Sequence, residues 1–373
     1  MAHPVRGAIA LPGPDDPALA TYRVLDERGV ADPARVPEVA PAEWLRMYRG
    51  MVVIRTMDER LMAMQRQGRI GFYGEARGQE AAVIGSAAAL GPDDWIFPAL
   101  REAGAGIFRG LPLTAYVAQI MGNAHDPGKG RQMPCHEGTR ASKFVTMSSC
   151  IATQLPHATG MAWAAKIRGD KTVVAAYLGD GATSESDFHV AMNFAGVFRV
   201  PVVFVCQNNQ WAISTPSTAQ TAAPTIAIKG RAYGIEGVRV DGNDLPAVHR
   251  VMRDAVEKAR SGGGPTLIEA LTYRLGAHTS SDDPSRYRDE RVTDEWKARD
   301  PISRMRNWLL SQGLLDAAGD EKLRADVDAE VRDAIAAEEG VEGPPVHSLI
   351  EDVFAEVPRF LEDELAEMTG SGS

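Results

Sequence analysis

The sequence predicts an α/β fold, a mostly parallel sheet flanked by helices, and three observations point there. Between residues 153 and 291, short apolar runs alternate with amphipathic stretches in repeated β-α order. The apolar runs are continuous, the pattern of strands covered on both faces. One of them, in "YLGDGATSE" (177–185), breaks abruptly into Gly179-Asp180-Gly181. That places a carboxylate at the carboxyl end of a strand, the edge where open α/β sheets bind ligands.

The elements follow in chain order. Residues 1–41 are rich in Pro, Ala and Asp without sustained periodicity and read as an extended N-terminal arm. From residue 42, apolar Leu45, Tyr48, Met51 and Val52 open a long helical pattern that ends at Gly68. A second helix in "GQEAAVIGSAAAL" stops at Gly91-Pro92. "TQLPHATGMAWAAKIR" is helical, "TVVAAYL" a strand and "SESDFHVAMNFAG" a helix whose Phe188, Ala191, Met192 and Ala195 form one apolar stripe. Ser184 and Asp187 have capping-box spacing, which predicts that this helix starts at Ser184. "VPVVFVCQ" and "GVRVDG" are strands, "DLPAVHRVMRDAVEKARSG" a helix and "PTLIEALTY" a strand. Residues 277–300 are charged and lack an apolar stripe, which predicts a mobile loop. Residues 301–373 read as a helical C-terminal region, leaving 42–300 as the α/β domain.

Composition narrows the function. A formal net charge of −10 argues against a nucleic-acid surface, which needs a dominant basic face. No run of about 20 apolar residues appears, so no membrane partner is expected. The N-terminal apolar stretch is too short for a secretory signal. Cys135, Cys150 and Cys206 form no CxxC pair, which fits neither a zinc knuckle nor a disulfide scaffold. A reducing cytoplasm is the expected location.

Asp180 lies just ahead of a helix N-terminus, where free N–H groups favour an anion. A carboxylate facing a phosphate makes sense with a divalent cation between them, and Mg²⁺ takes one or two carboxylates plus phosphate oxygens. A second oxygen ligand should come from the next strand end, where "VCQNNQWAIS" supplies Asn209, with a backbone carbonyl near Trp211 as a third. A small polar turn at Asp180 is the plainer alternative. The third glycine of a dinucleotide fingerprint is replaced by Ser184, and no Walker A loop is present. Taken alone, Arg101 also fits a surface ion pair and His278 a solvated loop.

"GDG" closing about 30 residues later in "NN" resembles the thiamine-diphosphate motif. "GKGRQMPCHEG", "FVTMSSCIATQ", "QNNQWAISTP", "RVDGNDLPAV", "IEALTYRLGAHTSSDDPSRYR" and "PISRMRNWLLSQG" are similar to α subunits of branched-chain 2-oxo acid dehydrogenases. The resemblance implies a thiamine-diphosphate-binding fold and oxidative decarboxylation of a branched 2-oxo acid, with acyl transfer to a lipoyl group. It implies Asp180, Asn209 and the Trp211 carbonyl as Mg²⁺ ligands. Arg101, Ser149, Gly181, Ala182, Gln207 and His278 would contact the cofactor, with His278 also catalytic. Ser148, Cys150, Thr153 and Gln154 match a K⁺ site, although they equally suit a helix N-cap. Implied partners are a β subunit in an α2β2 heterotetramer and a lipoylated acyltransferase core. A pyruvate or acetoin dehydrogenase α subunit is the alternative. Two departures stand out: Leu100 replaces a frequent Tyr, and Gln207 a frequent Arg.

Overall fold

The computed structural model describes residues 15–350 and 353–370. Its strands are β1 (Thr21–Tyr22), β2 (Trp95–Phe97), β3 (Val174–Gly179), β4 (Val202–Asn208), β5 (Trp211–Ala212), β6 (Thr215–Pro216), β7 (Glu236–Asp241) and β8 (Thr266–Leu271). Its helices are α1 (Pro41–Arg66), α2 (Glu80–Ala88), α3 (Ala103–Phe108), α4 (Leu113–Met121), α5 (Gln154–Arg168), α6 (Ser186–Phe198), α7 (Ser217–Gln220), α8 (Leu245–Arg260), α9 (Glu290–Lys297), α10 (Pro301–Ser311), α11 (Ala317–Glu339) and α12 (Arg359–Thr369). Six strands form one sheet in the order β1-β7-β8-β4-β3-β2, and every neighbouring pair is parallel. β5 and β6 make a separate antiparallel pair.

The continuous apolar strands are buried on both faces, as their sequence requires. On β3, Val174, Ala176 and Leu178 pack with Phe188 and Met192 of α6 and Leu155 of α5. Ala175 and Tyr177 point the other way, into a core with α1, α2 and α8. Two short strands, β1 and β2, were not evident from the sequence. Thr21–Tyr22 adds an edge strand beside β7 from within the N-terminal segment, and Val24 and Leu25 are buried. Met1 to Pro14 of the expected arm lie outside the described residues.

Two local expectations need correction. α6 starts at Ser186, and no side chain caps it; residues Asp180–Ser184 instead form a 3-10 turn. The Ser184 hydroxyl turns away toward the Gln220 carbonyl, 3.5 Å off. Residues 277–300 are not wholly irregular, because they contain α9. Trp296 of α9 stacks on Tyr273 with centroids 5.5 Å apart and planes 8° apart, and Thr293 is buried. Two anchoring side chains on a charged helix leave no visible apolar stripe. Among the described residues, no helix is long and apolar enough to cross a membrane.

The C-terminal helices are tied to this body by charge. Arg304 of α10 is buried, and Asp244 caps α8 by accepting from Ala247 N at 3.0 Å. The second Asp244 oxygen accepts from Val24 N and Leu25 N at 2.7 Å each, so one carboxylate joins the helix start to the N-terminal segment.

Candidate active site

The register of β3 and β4 sets Gly179 opposite Gln207, so Asp180 and Asn209 leave neighbouring strands at the same sheet edge. There they line a cavity of about 450 Å³ together with Gly181, Ala182, Gln207, Trp211, Arg101, Ser148, Ser149, Gln154 and His278. Every candidate site residue except Cys150 and Thr153 lines this cavity, and those two are joined to Ser148 by hydrogen bonds. Phe72 and Leu100 add apolar wall.

Asp180 is 2% exposed. Burial pushes its carboxyl up to about 6, opposed by a hydrogen bond from Gln220. Gln220 Nε2 donates to Asp180 Oδ2 at 2.7 Å. The Asn209 amide is oriented by donating to Gln79 Oε1 at 3.1 Å, while its Oδ1 accepts from Trp211 N at 3.2 Å. Arg274 reaches the Trp211 carbonyl only weakly, at 3.5 Å. Asn208, the other half of the "NN" pair, is structural, donating to Glu269 Oε1 at 2.7 Å.

Gly181 is fixed by space. A Cβ there would lie 2.6 Å from the Ala212 Cβ on the β5–β6 pair, so only glycine lets that pair close over the turn.

Arg101 and His278 form the opposite wall. Arg101 is buried and donates from Nη1 to the Glu75 carbonyl and from Nη2 to the His278 carbonyl, the latter at 2.8 Å. Nη2 also lies 3.3 Å from His278 Nδ1. A guanidinium has donors only, so Nδ1 accepts and the imidazole proton sits on Nε2. Burial, then the charges of Arg101 and Arg274, push His278 down to about 4. At neutral pH His278 is therefore an uncharged donor.

The Ser148 loop is organised on itself. Thr153 Oγ1 donates to the Cys150 carbonyl at 2.9 Å and lies 3.2 Å from Ser148 Oγ. Thr153 is the N-cap of α5 but makes no side-chain cap, so the hydroxyls are not there to cap the helix. Gln154 Nε2 is committed to the Tyr177 carbonyl at 2.8 Å. Gln207 likewise donates Nε2 to the buried carboxyl of Glu102.

Sequence reading missed five participants, one of them Gln79, which lines the cavity and orients Asn209. His136 lines the cavity and pairs through Nε2 with Ser149 Oγ, its Nδ1 facing the Pro134 carbonyl at 3.0 Å. Its signal lay inside "MPCHEG". Glu102 follows Arg101 directly and was legible as a neighbour. Gln220 and Arg274 carried no local signal, since they reach the site from positions 40 and 63 residues from their contacts.

This donor set suits a metal-bound diphosphate. Hard oxygens from one carboxylate, one amide and one carbonyl match Mg²⁺ preference, and a guanidinium opposite them matches phosphate oxygens. Gln79 Nε2 and Gln207 Oε1, both on cavity-lining residues, are buried without hydrogen-bond partners. Orphaned buried polar atoms in a cavity wall are the mark of a site completed by a ligand.

Residues 48–346 match the family described as dehydrogenase E1 component. The chain is 42% identical over 352 residues to the mitochondrial 2-oxoisovalerate dehydrogenase subunit alpha 2 of Arabidopsis thaliana, covering 94% of this chain and 75% of that relative. It is 43% identical over 339 residues to the corresponding alpha subunits of Mus musculus and Homo sapiens, covering 90% of this chain and 77% and 76% of theirs. These relatives are mitochondrial by name, which overturns the cytoplasmic expectation. Free thiols report a reducing environment and cannot tell one such compartment from another. The chain belongs to the dehydrogenase E1 component family.

Proposed function

We propose that this chain is the α subunit of a 2-oxoisovalerate dehydrogenase, which decarboxylates a branched 2-oxo acid oxidatively and passes the acyl group to a lipoyl arm. The observation that carries the reading is the convergence of Asp180, Asn209, Arg101 and His278 on one cavity at the carboxyl edge of β3 and β4. The relatives' names supply the substrate class.

Thiamine diphosphate, when bound, supplies the nucleophile for the keto carbon and the sink for the electron pair left by CO₂. Asp180, Asn209 and the Trp211 carbonyl hold Mg²⁺. Gly181 and Ala182 bring backbone close to the diphosphate, Arg101, Ser149 and His278 offer donors to it, and Gln207 faces it from the cavity wall. Neutral His278 keeps its Nε2 proton and so can donate without adding a charge. Ser148 Oγ, Thr153 Oγ1 and the Cys150 carbonyl form an oxygen cluster fitting K⁺, with Gln154 beside it.

The aminopyrimidine half of such a site needs a carboxylate, and a β subunit in an α2β2 assembly supplies it. An apolar face supports a partner chain. Val190, Phe194 and Val197 of α6 are 49%, 44% and 64% exposed, Ile167 of α5 is 73% exposed, and Trp163 stacks on Phe198 at 4.1 Å. A lipoylated acyltransferase core would take the product.

The test is co-purification with the β subunit and a panel of 2-oxo acids. The chain alone should be inactive, and the pair should favour 3-methyl-2-oxobutanoate over pyruvate. Phe72 and Leu100 give a graded preference, because one methylene is worth about 1–3 kcal/mol. Full activity of the isolated chain would overturn the two-chain site. A clear preference for pyruvate would move the assignment to a pyruvate dehydrogenase.

A further inference from the structure

Glu102 lies under the cavity wall and has no cation of its own. It is 2% exposed. Its Oε2 accepts from Ala99 N at 2.7 Å and Arg101 N at 3.2 Å, and its Oε1 accepts from Gln207 Nε2. The Arg101 guanidinium, on the adjacent residue, is directed instead at the Glu75 and His278 carbonyls. Gln207 is itself 2% exposed and lines the cavity, and its Oε1 is buried without a partner. The end of the amide not held by Glu102 is therefore an acceptor.

An anion in this cavity meets two obstacles. The Glu102 carboxylate repels it, and the free end of Gln207 shows it a lone pair in place of a proton. Arg101 is the one permanent cation among the cavity-lining residues, against the carboxyls of Glu102, Asp180 and Glu185. A single proton on Glu102 removes both obstacles. It cancels the charge, and the new O–H can donate to an amide oxygen. The Gln207 amide can then turn over, with Oε1 toward Glu102 and Nε2–H outward.

We propose that Glu102 takes up one proton from solvent when thiamine diphosphate and Mg²⁺ bind, and that Gln207 turns its amide to donate Nε2–H to the diphosphate. The proposal rests on the cofactor reading above. Burial pushes Glu102 up to about 7, against hydrogen bonds from Ala99, Arg101 and Gln207, so the proton is available near neutrality. The ionisable groups facing it are Arg101 beside it, Glu137 from the 136–147 loop and Tyr177 from β3. Glu137 is also pushed up to about 7, chiefly by burial with Glu102 adding to it, and burial raises the Tyr177 phenol. A bound anion raises the affinity of Glu102 for a proton further. The sign follows: protonated Glu102 binds the anion better, so affinity is highest below about pH 7 and declines as pH rises.

Calorimetry on the complex with its β subunit tests this. Thiamine diphosphate with Mg²⁺ is titrated between pH 7 and 8.5, in buffers of different ionisation enthalpy, into wild type, E102Q and E137Q. Wild type should take up about half a proton at pH 7, approaching one by about pH 8.5, and lose affinity by up to about tenfold per pH unit, the slope of one linked proton. E102Q can donate to Gln207 permanently, so its affinity should be pH-independent and its uptake abolished. E137Q should retain both effects. Q207R, which supplies a permanent cation beside Glu102, should likewise abolish the uptake and keeps the test available if E102Q fails to fold. No uptake in wild type, or uptake that persists in E102Q or disappears only in E137Q, would overturn the proposal. Failure of wild type to bind the cofactor at all would overturn the cofactor reading itself.

Discussion

Two buried arginines, Arg304 and Arg101, sit at the carboxyl edge of the same sheet and are treated in opposite ways. The Arg304 side chain is 1% exposed and meets Asp241 Oδ2 at 3.0 Å and Asp244 Oδ2 at 3.6 Å. It also donates to the Asp26 carbonyl at 2.7 Å and to the Leu25 carbonyl. Arg101 is 7% exposed, yet no carboxylate lies within ion-pair distance of its guanidinium, whose partners are two carbonyls and an imidazole nitrogen. Burial accordingly lowers its basicity. Arg304 joins the N-terminal segment, β7, α8 and α10, and its charge is neutralised within the protein. Arg101 keeps a desolvated charge open to an anion. Burial alone does not distinguish the two arginines; the counter-ion does.

The largest expected effect breaks the structural member of the pair. Arg304→Ala leaves Asp244 buried without its cation and Asp241 with only the half-exposed Arg23, and losing one partner of a buried pair costs about 3–5 kcal/mol. Urea unfolding should show that loss, while the folded fraction binds cofactor normally. Arg101→Ala should do the reverse. Its folded stability should change little, while thiamine-diphosphate affinity falls by about 100-fold, the worth of two charge-assisted hydrogen bonds at about 1.5 kcal/mol each. If both variants lost stability equally and bound cofactor equally, the contrast between the two arginines would be void.

The same contrast extends to the acids. Burial pushes both carboxyls up to about 6, but Asp244 accepts three backbone N–H bonds and faces Arg304, whereas Asp180 has one amide donor, Gln220. Asp180→Ala should therefore abolish Mg²⁺-dependent cofactor binding and leave apo stability intact or slightly higher. Asn209→Ala removes one neutral ligand and should weaken the same binding by about tenfold, roughly 1.4 kcal/mol. Calorimetry with and without Mg²⁺ reads both. Undiminished metal-dependent affinity in a folded Asp180→Ala protein would refute the ligand assignment.

Among the acids, the proposed ligand was easier to read in the sequence than the structural carboxylate, whereas Arg101 taken alone also fitted a surface ion pair and was singled out only by the resemblance. Asp180 and Asn209 were legible because continuous apolar strands stop at them, at the sheet edge where open α/β sheets bind ligands. Arg304, in "PISRMRN", looks like any cation on an amphipathic helix; its burial depends on Leu25, Asp26, Asp241 and Asp244, all distant in sequence. Gln220 was invisible for the same reason. β1 and β2 are two and three residues long, too short for any period to show, and exist only because neighbouring strands offer them a ladder. The capping box at Ser184 failed because the turn after Asp180 winds as a 3-10 helix first. Local pattern gave the sheet and its ligand edge, and tertiary partners decided everything that a single window of sequence does not contain.

The smallest expected effect sharpens the Arg101 side. His278 sits against Arg101 and is held down to about 4 by burial, Arg101 and Arg274. Its ordinary value in an unfolded chain is about 6.5. Between those limits the unfolded chain binds the extra proton and the native state does not, so the stability linked to His278 is complete above about pH 6.5 and is lost as pH falls toward 4. Partial solvent access screens the effect and keeps it modest. Replacing His278 by Asn removes the titration, so the apo variant's unfolding midpoint should depend less on pH between 4 and 6.5 than that of wild type. The double variant with Arg101→Ala should show no further flattening, since no imidazole remains for the guanidinium to repel. In Arg101→Ala alone, His278 should titrate higher, which NMR of the imidazole reads directly. An unshifted His278 in that variant would mean that the two groups are not electrostatically coupled across the cavity wall.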